Sequence, residues 1–159
     1  MFIKKYSSVK LAQIDLKFAT LTISDASSTP VELKVGEGNL TYSESRTVDY
    51  TLDRGLLDEV REGDQVPVDV SFDVVWSDMK GGDAKSIIKG EGSYVSTDPD
   101  ACRPYACDIV ITYTPSPSGC GTPSTVTLPD FRWEKCDSDL RAGTLSFTGK
   151  CNVNVIPTT

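Results

Sequence analysis

Carboxylates and cysteines are the residues able to do chemistry in this 159-residue chain, because it contains no histidine. Without an imidazole, a serine or cysteine nucleophile lacks its usual general base. A Ser–Lys pair is the remaining option, and no local signature marks one. Asp69 and Asp73 fall on one face of an extended segment, but four residues of strand separate them by about 13 Å. A glycosidase pair sits about 5–9.5 Å apart. Asp98/Asp100 and Asp137/Asp139 lie in loop-like sequence, where solvated turn residues are the plain reading and a touched cation the sharper one. Gly36-Glu37-Gly38 and Gly90-Glu91-Gly92 do not continue into a dinucleotide or phosphate loop; Thr41 stands where the next glycine would be. No catalytic residue and no cofactor are expected.

Five cysteines, Cys102, Cys107, Cys120, Cys136 and Cys151, all fall in the C-terminal part of the chain. Cys102, Cys107, Cys120 and Cys136 are enough thiolates for a structural zinc, although no CxxC knuckle is present. Packed free thiols and a single bridge are the other two states the residues allow. The odd count argues against a disulfide framework.

The elements that would carry these groups are mostly strands. From Val66 to Trp76, Val66, Val68, Val70, Phe72, Val74 and Trp76 line one face, and Pro67, Asp69, Ser71 and Asp73 the other, with Val75 out of pattern. Period two over this length predicts a half-buried strand. Leu145, Phe147, Gly149, Cys151, Val153 and Val155 repeat the pattern, with Gly149 marking a bend or bulge. Asp15–Ile23, Val31–Val35, Val48–Leu52, Asp108–Tyr113 and Ser124–Leu128 are shorter candidates. Leu56–Arg61 is expected to form one or two helical turns, capped by Asp53 and ended by Gly63. Ala84–Lys89, between Asp83 and Gly90, is a second helix candidate, with Ile87 and Ile88 inward. Turn residues mark loops at Ser24–Pro30, Gly36–Arg46, Ser96–Pro104 and Thr114–Pro123, though Leu40 and Tyr42 could extend a strand instead. The fold class is mostly β, a β-sandwich or partial barrel with one or two short helices, in one domain over 1–159.

A formal charge of −7 disfavours a broad nucleic-acid-gripping surface, and solubility explains it as well as any function does. Residues Met1–Ser8 lack the apolar run of a signal peptide, so cytoplasmic synthesis is expected and the Asn39-Leu40-Thr41 sequon has no use there. No stretch approaches the ~20 apolar residues of a membrane span, so no membrane anchor is expected.

Val35–Glu44 and Leu52–Asp64, which leads into Val66–Trp76, resemble bacteriophage tail tube proteins; so do Leu128–Glu134 and Gly143–Asn152. The resemblance follows the order and spacing of nearly the whole chain. It implies a structural subunit, a β-sandwich with a flanking helix. Six copies would form a homohexameric ring whose inner sheets join into one barrel, and stacked rings would make a hollow conduit for the genome. An N-terminal arm (Met1–Lys10), an early loop (Gly36–Arg46) and the C-terminal segment (Asn152–Thr159) would carry assembly contacts, with Phe2, Tyr6, Asn39 and Tyr42 as candidate inter-ring residues. Four strands per subunit give about 24, and a backbone diameter of roughly 48 Å at a tilt near 40°. That leaves a bore wider than a DNA duplex. Asp69, Ser71 and Asp73 become candidates to line it, where negative residues would repel phosphates. Implied partners are further copies of the chain, tape-measure, baseplate or tip and tail-terminator proteins, a sheath protein if the tail contracts, and double-stranded DNA in passage without specific binding; the implied location is the virion tail. The alternative from another class is a carbohydrate-binding or adhesin-like module using Tyr42, Tyr94, Tyr105 and Trp133.

Overall fold

A computed structural model describes residues 19–26, 30–33, 39–75, 82–114 and 122–159. The chain in it is mostly β. The strands are β1 (Ala19–Ser24), β2 (Val31–Leu33), β3 (Leu40–Ser43), β4 (Arg46–Asp53), β5 (Leu56–Gln65), β6 (Val68–Val75), β7 (Cys107–Tyr113), β8 (Ser124–Asp139) and β9 (Thr144–Cys151), with one helix, α1 (Gly82–Lys89), between β6 and β7. Seven strands form one antiparallel sheet in the order β2-β1-β7-β8-β9-β6-β3, and β4 and β5 pair only with each other.

Alternation along β6 decides which way the large sheet faces. Val68, Val70, Phe72 and Val74 are buried, while Asp69 and Val75 are exposed. Trp76 lies outside the described residues. Phe72 stands opposite Phe147 of β9, with ring centroids 5.5 Å apart, and meets the edge of Phe131 at 5.6 Å. Ile87 and Ile88 of α1 join this core with Leu21, Ile23, Ile109, Leu128 and Leu145. Each such side chain contributes about 1.5–3 kcal/mol by leaving water. The helix lies where the Ile pair placed it, beginning slightly before the expected Ala84.

β6 begins at Val68 rather than Val66, β4 and β7 run slightly beyond their expected spans, and β8 and β9 differ most. The Ser124–Leu128 candidate continues to Asp139, because Pro129-Asp130 makes a bulge rather than a stop. Asp130 adopts φ 51°, and the Asp108 carboxylate accepts its N–H at 3.0 Å. A second irregularity lies between Trp133 and Lys135, opposite Gly149. A Cβ on Gly149 would collide with the Arg132 carbonyl oxygen, so the close approach of β9 to β8 requires glycine there. β9 itself ends at Cys151 rather than Val155. The chain bends through 152–155, and Thr158 then bridges Val126 of β8.

At the early loop the strand alternative holds, and one helix expectation is overturned. Leu40–Ser43, inside the expected Gly36–Arg46 loop, pairs with β6 as an edge strand. Leu56–Arg61 is strand, not helix. Arg54 (φ 51°) and Gly55 (φ 83°) take the two positive-φ positions of a type I′ turn, with Asp53 opposite Leu56, so the segment folds back on β4. A bulge at Asp58 spaces Leu57 and Val60 three apart, which imitates a helical repeat.

Candidate assembly surfaces

The β4–β5 hairpin projects as a sheet of its own, without substantial packing against the strands of the large sheet. Its register places Tyr50 opposite Val60 and Leu52 opposite Leu57, so these four side chains share one face. Tyr50 is 63% exposed, Leu52 59%, Leu57 74% and Val60 60%; Leu56 at the turn is 74% exposed. The opposite face pairs Asp49 with Arg61 and Thr51 with Glu59. Over residues 46–65 six carboxylates face three arginines, so the hairpin is acidic as well as amphipathic. A lone two-stranded hairpin is marginal in water, and clustered exposed leucines mark a surface to be covered. The expected strand Val48–Leu52 is present, with Val48 half-buried and Tyr50 and Leu52 exposed.

The proposed lumen residues sit on the solvent face of β6, opposite the core. Lys150 lies directly across from Asp69, with Nζ 2.5 Å from the carboxylate. The hydrogen bond and charge of Asp69 raise the pKa of Lys150, and Glu134 adds to the shift. Asn39, an expected inter-ring residue, lies on this same face. Its backbone N–H donates to Asp73 Oδ2 at 3.0 Å, its carbonyl accepts the Asp73 N–H at 2.7 Å, and its Nδ2 donates to Ser71 Oγ at 3.3 Å. The structure thus brings Asn39, Ser71 and Asp73 together and neutralises Asp69. Tyr42 points to the other face of the sheet and is 39% exposed. Phe2 and Tyr6 lie outside the described residues.

The remaining sequence candidates disperse. Cys102 is exposed, Cys136 half-buried, and Cys107 and Cys151 are buried. Burial pushes the thiols of Cys107 and Cys151 up to about 12 each. Cys120 lies outside the described residues. Among the described residues, no group of three or more Cys, Asp or Glu is placed to hold a metal ion. Of the aromatics, Tyr94 packs against the core, and Tyr105 does so while its hydroxyl donates to the Ile87 carbonyl at 2.7 Å. Lys89 Nζ lies 4.6 Å over the half-exposed Trp133 ring.

Asp98 belongs to an anchor rather than to a cation site. Its buried carboxylate accepts Arg132 Nη2 at 2.6 Å, Arg103 Nη1 at 3.4 Å and the Asp100 N–H at 3.0 Å. The Asp100 N–H holds this carboxyl below its ordinary value; burial opposes it, and the two arginines assist. Loop 96–106 is thereby pinned to β8, with Thr97 donating to Asp130 at 2.8 Å.

The C-terminal segment meets the hairpin at its root. Ile156, buried, donates its N–H to Glu44 Oε1 at 3.0 Å, and the Val153 carbonyl accepts the Val68 N–H at 3.0 Å. Residues 157–159 pair with 125–127 of β8 through bonds of 2.7, 2.9 and 3.2 Å. Gln65, Val66 and Pro67 at the hairpin root and Asn152, Val153 and Asn154 line an open pocket of about 430 Å³.

No protein-family model matches the chain, and no curated protein matches its sequence. Its fold does match solved structures. One is the PVC sheath/tube terminator, in the extended state, of an extracellular contractile injection system. The TM-score is 0.58 at 10% identity, covering 94% of this chain and 99% of that one. Another is a chain of the anti-feeding prophage (AFP) baseplate, 6-fold symmetrised, with a TM-score of 0.44 at 12% identity over 89% and 91% of the two chains. The first likeness is one of fold across almost the full length of both chains.

Proposed function

We propose that this chain is a structural subunit of a phage-tail-like tube, working by assembly with copies of itself. The observation that carries the reading is the β4–β5 hairpin, whose Tyr50, Leu52, Leu57 and Val60 share a face that the monomer leaves in water. Supporting it are the tail-tube resemblance of the sequence and the fold shared with the injection-system terminator. That likeness makes a terminal ring of the tube as natural a place for the chain as its shaft. Hexameric rings, stacked through the hairpin and the C-terminal segment, would form a conduit in a tail-like particle, with tape-measure, baseplate, terminator and sheath proteins as neighbours.

The β6 polar face, with Asp69, Ser71 and Asp73, is our candidate for the conduit wall. Lys150 changes what that wall would do: it offsets Asp69, so the repulsion of a passing phosphate backbone falls to Asp73 and to the summed field of the ring. The role is mechanical and needs no catalytic group. Negative-stain microscopy of the purified protein at high concentration tests the reading. Rings or short tubes are expected. Monomers under all conditions, together with absence of the chain from purified tail-like particles, would overturn it.

A further inference from the structure

The hairpin can serve as a docking element only if it is aimed, and its own strands do not aim it. Among the described residues, β4 and β5 pair only with each other. Eight residues of β4 make a strand about 27 Å long. Over that lever a 10° swing at the root moves the tip by about 5 Å, enough to take an apolar face off its partner. The direction of the hairpin is therefore set where it leaves the body.

Two chain crossings lie at that root, and one segment touches both. On the side leading into β4, Glu44 accepts the Ile156 N–H at 3.0 Å. On the side leaving β5, the Val68 N–H donates to the Val153 carbonyl at 3.0 Å. The same segment is fixed at both ends, by β9 before it and by the 157–159 pairing with β8 after it. Ile156 fixes its middle in the core. Beside these contacts an open pocket of about 430 Å³, lined by Gln65, Val66, Pro67, Asn152, Val153 and Asn154, leaves the root unpacked on one side.

We infer that Glu44 and the Val153–Ile156 segment form a clamp that sets the direction of the β4–β5 hairpin. Glu44 is a positioning residue for docking, and the inference rests on the assembly reading for its purpose but not for its geometry. The root has open space on one side and these hydrogen bonds on the other.

The test measures direction, not stability. Spin labels go on Arg54→Cys at the hairpin turn and Lys135→Cys on β8, in full-length protein with Cys102, Cys120 and Cys136 replaced by Ser. The parent is expected to give one narrow distance distribution. Glu44→Ala is expected to at least double its width and to speed exchange of the Ile156 amide at least tenfold. Glu44→Gln, which keeps the acceptor oxygen, is expected to restore the narrow distribution. Ile156→Ser withdraws the anchor from the core side and is expected to broaden the same distribution while the far-UV circular dichroism stays native. A Glu44→Ala distribution as narrow as the parent's would overturn the clamp. Broadening in a protein that never assembles would uphold the clamp and overturn the assembly reading instead.

Discussion

Arg132 reaches from β8 to the Asp98 carboxylate at 2.6 Å and donates through Nε to the Pro104 carbonyl at 3.0 Å, fastening an irregular loop to the sheet. Because the folded state holds Asp98 below its ordinary value, its contribution is present above that value and is lost as pH falls through the lower, folded one. Thermal stability is therefore expected to drop below about pH 4, and less steeply in Asp98→Asn, which should already melt lower at pH 7; melts from pH 2 to 7 check this. The cysteines give a second residue-scale prediction. Exposed Cys102 should react with a thiol reagent in the native protein, and Cys107 and Cys151 only on unfolding, read by mass spectrometry of the labelled protein. Gly149→Ala should cost about 1–3 kcal/mol in urea unfolding, against little for Thr148→Ala on the exposed side of the same strand. Gly149 was legible in the sequence because a glycine interrupts an alternating run. The Asp98 anchor was not, since Arg132 lies 34 residues away and only the folded sheet brings the two together.

The elements divide by how local their signals are. β6, β9 and α1 could be read because their apolar spacing is regular over several residues. β5 could not, because the bulge at Asp58 turned a period of two into a spacing of three, and Asp53 looked like a helix cap. The signal that would have found it was Arg54-Gly55, a pair suited to positive φ between two runs of strand formers. β8 was cut short by Pro129, which a bulge accommodates. The hairpin carries the prediction at this scale. Leu57→Glu with Val60→Glu should leave the monomer within about 0.5 kcal/mol per site of its parent, since both positions are exposed. The critical concentration for assembly should rise at least about tenfold, or about 1.4 kcal/mol. Sedimentation of a concentration series compares the two proteins. Equal assembly would take the hairpin out of the interface.

For the whole molecule, the sheet explains how one chain can be stable and still incomplete. Its core draws on β1, β2, β6, β7, β8, β9 and α1, while the outer edges of β2 and β3 and the hairpin face are left without partners among the described residues. Edges and bare apolar faces invite association, and a ring of copies is one way to close them. The outer face of β6 is more balanced than the sequence implied. Net charge and alternation were visible in the residues, but the Asp69–Lys150 pair spans 81 positions and needed the register of β6 on β9. The most direct measurement is a cryo-EM map of the assembled protein, read for the surroundings of Tyr50, Leu52, Leu57 and Val60. All four are predicted to be buried against a neighbouring copy. Finding them in solvent, with the rings held together elsewhere, would contradict the account.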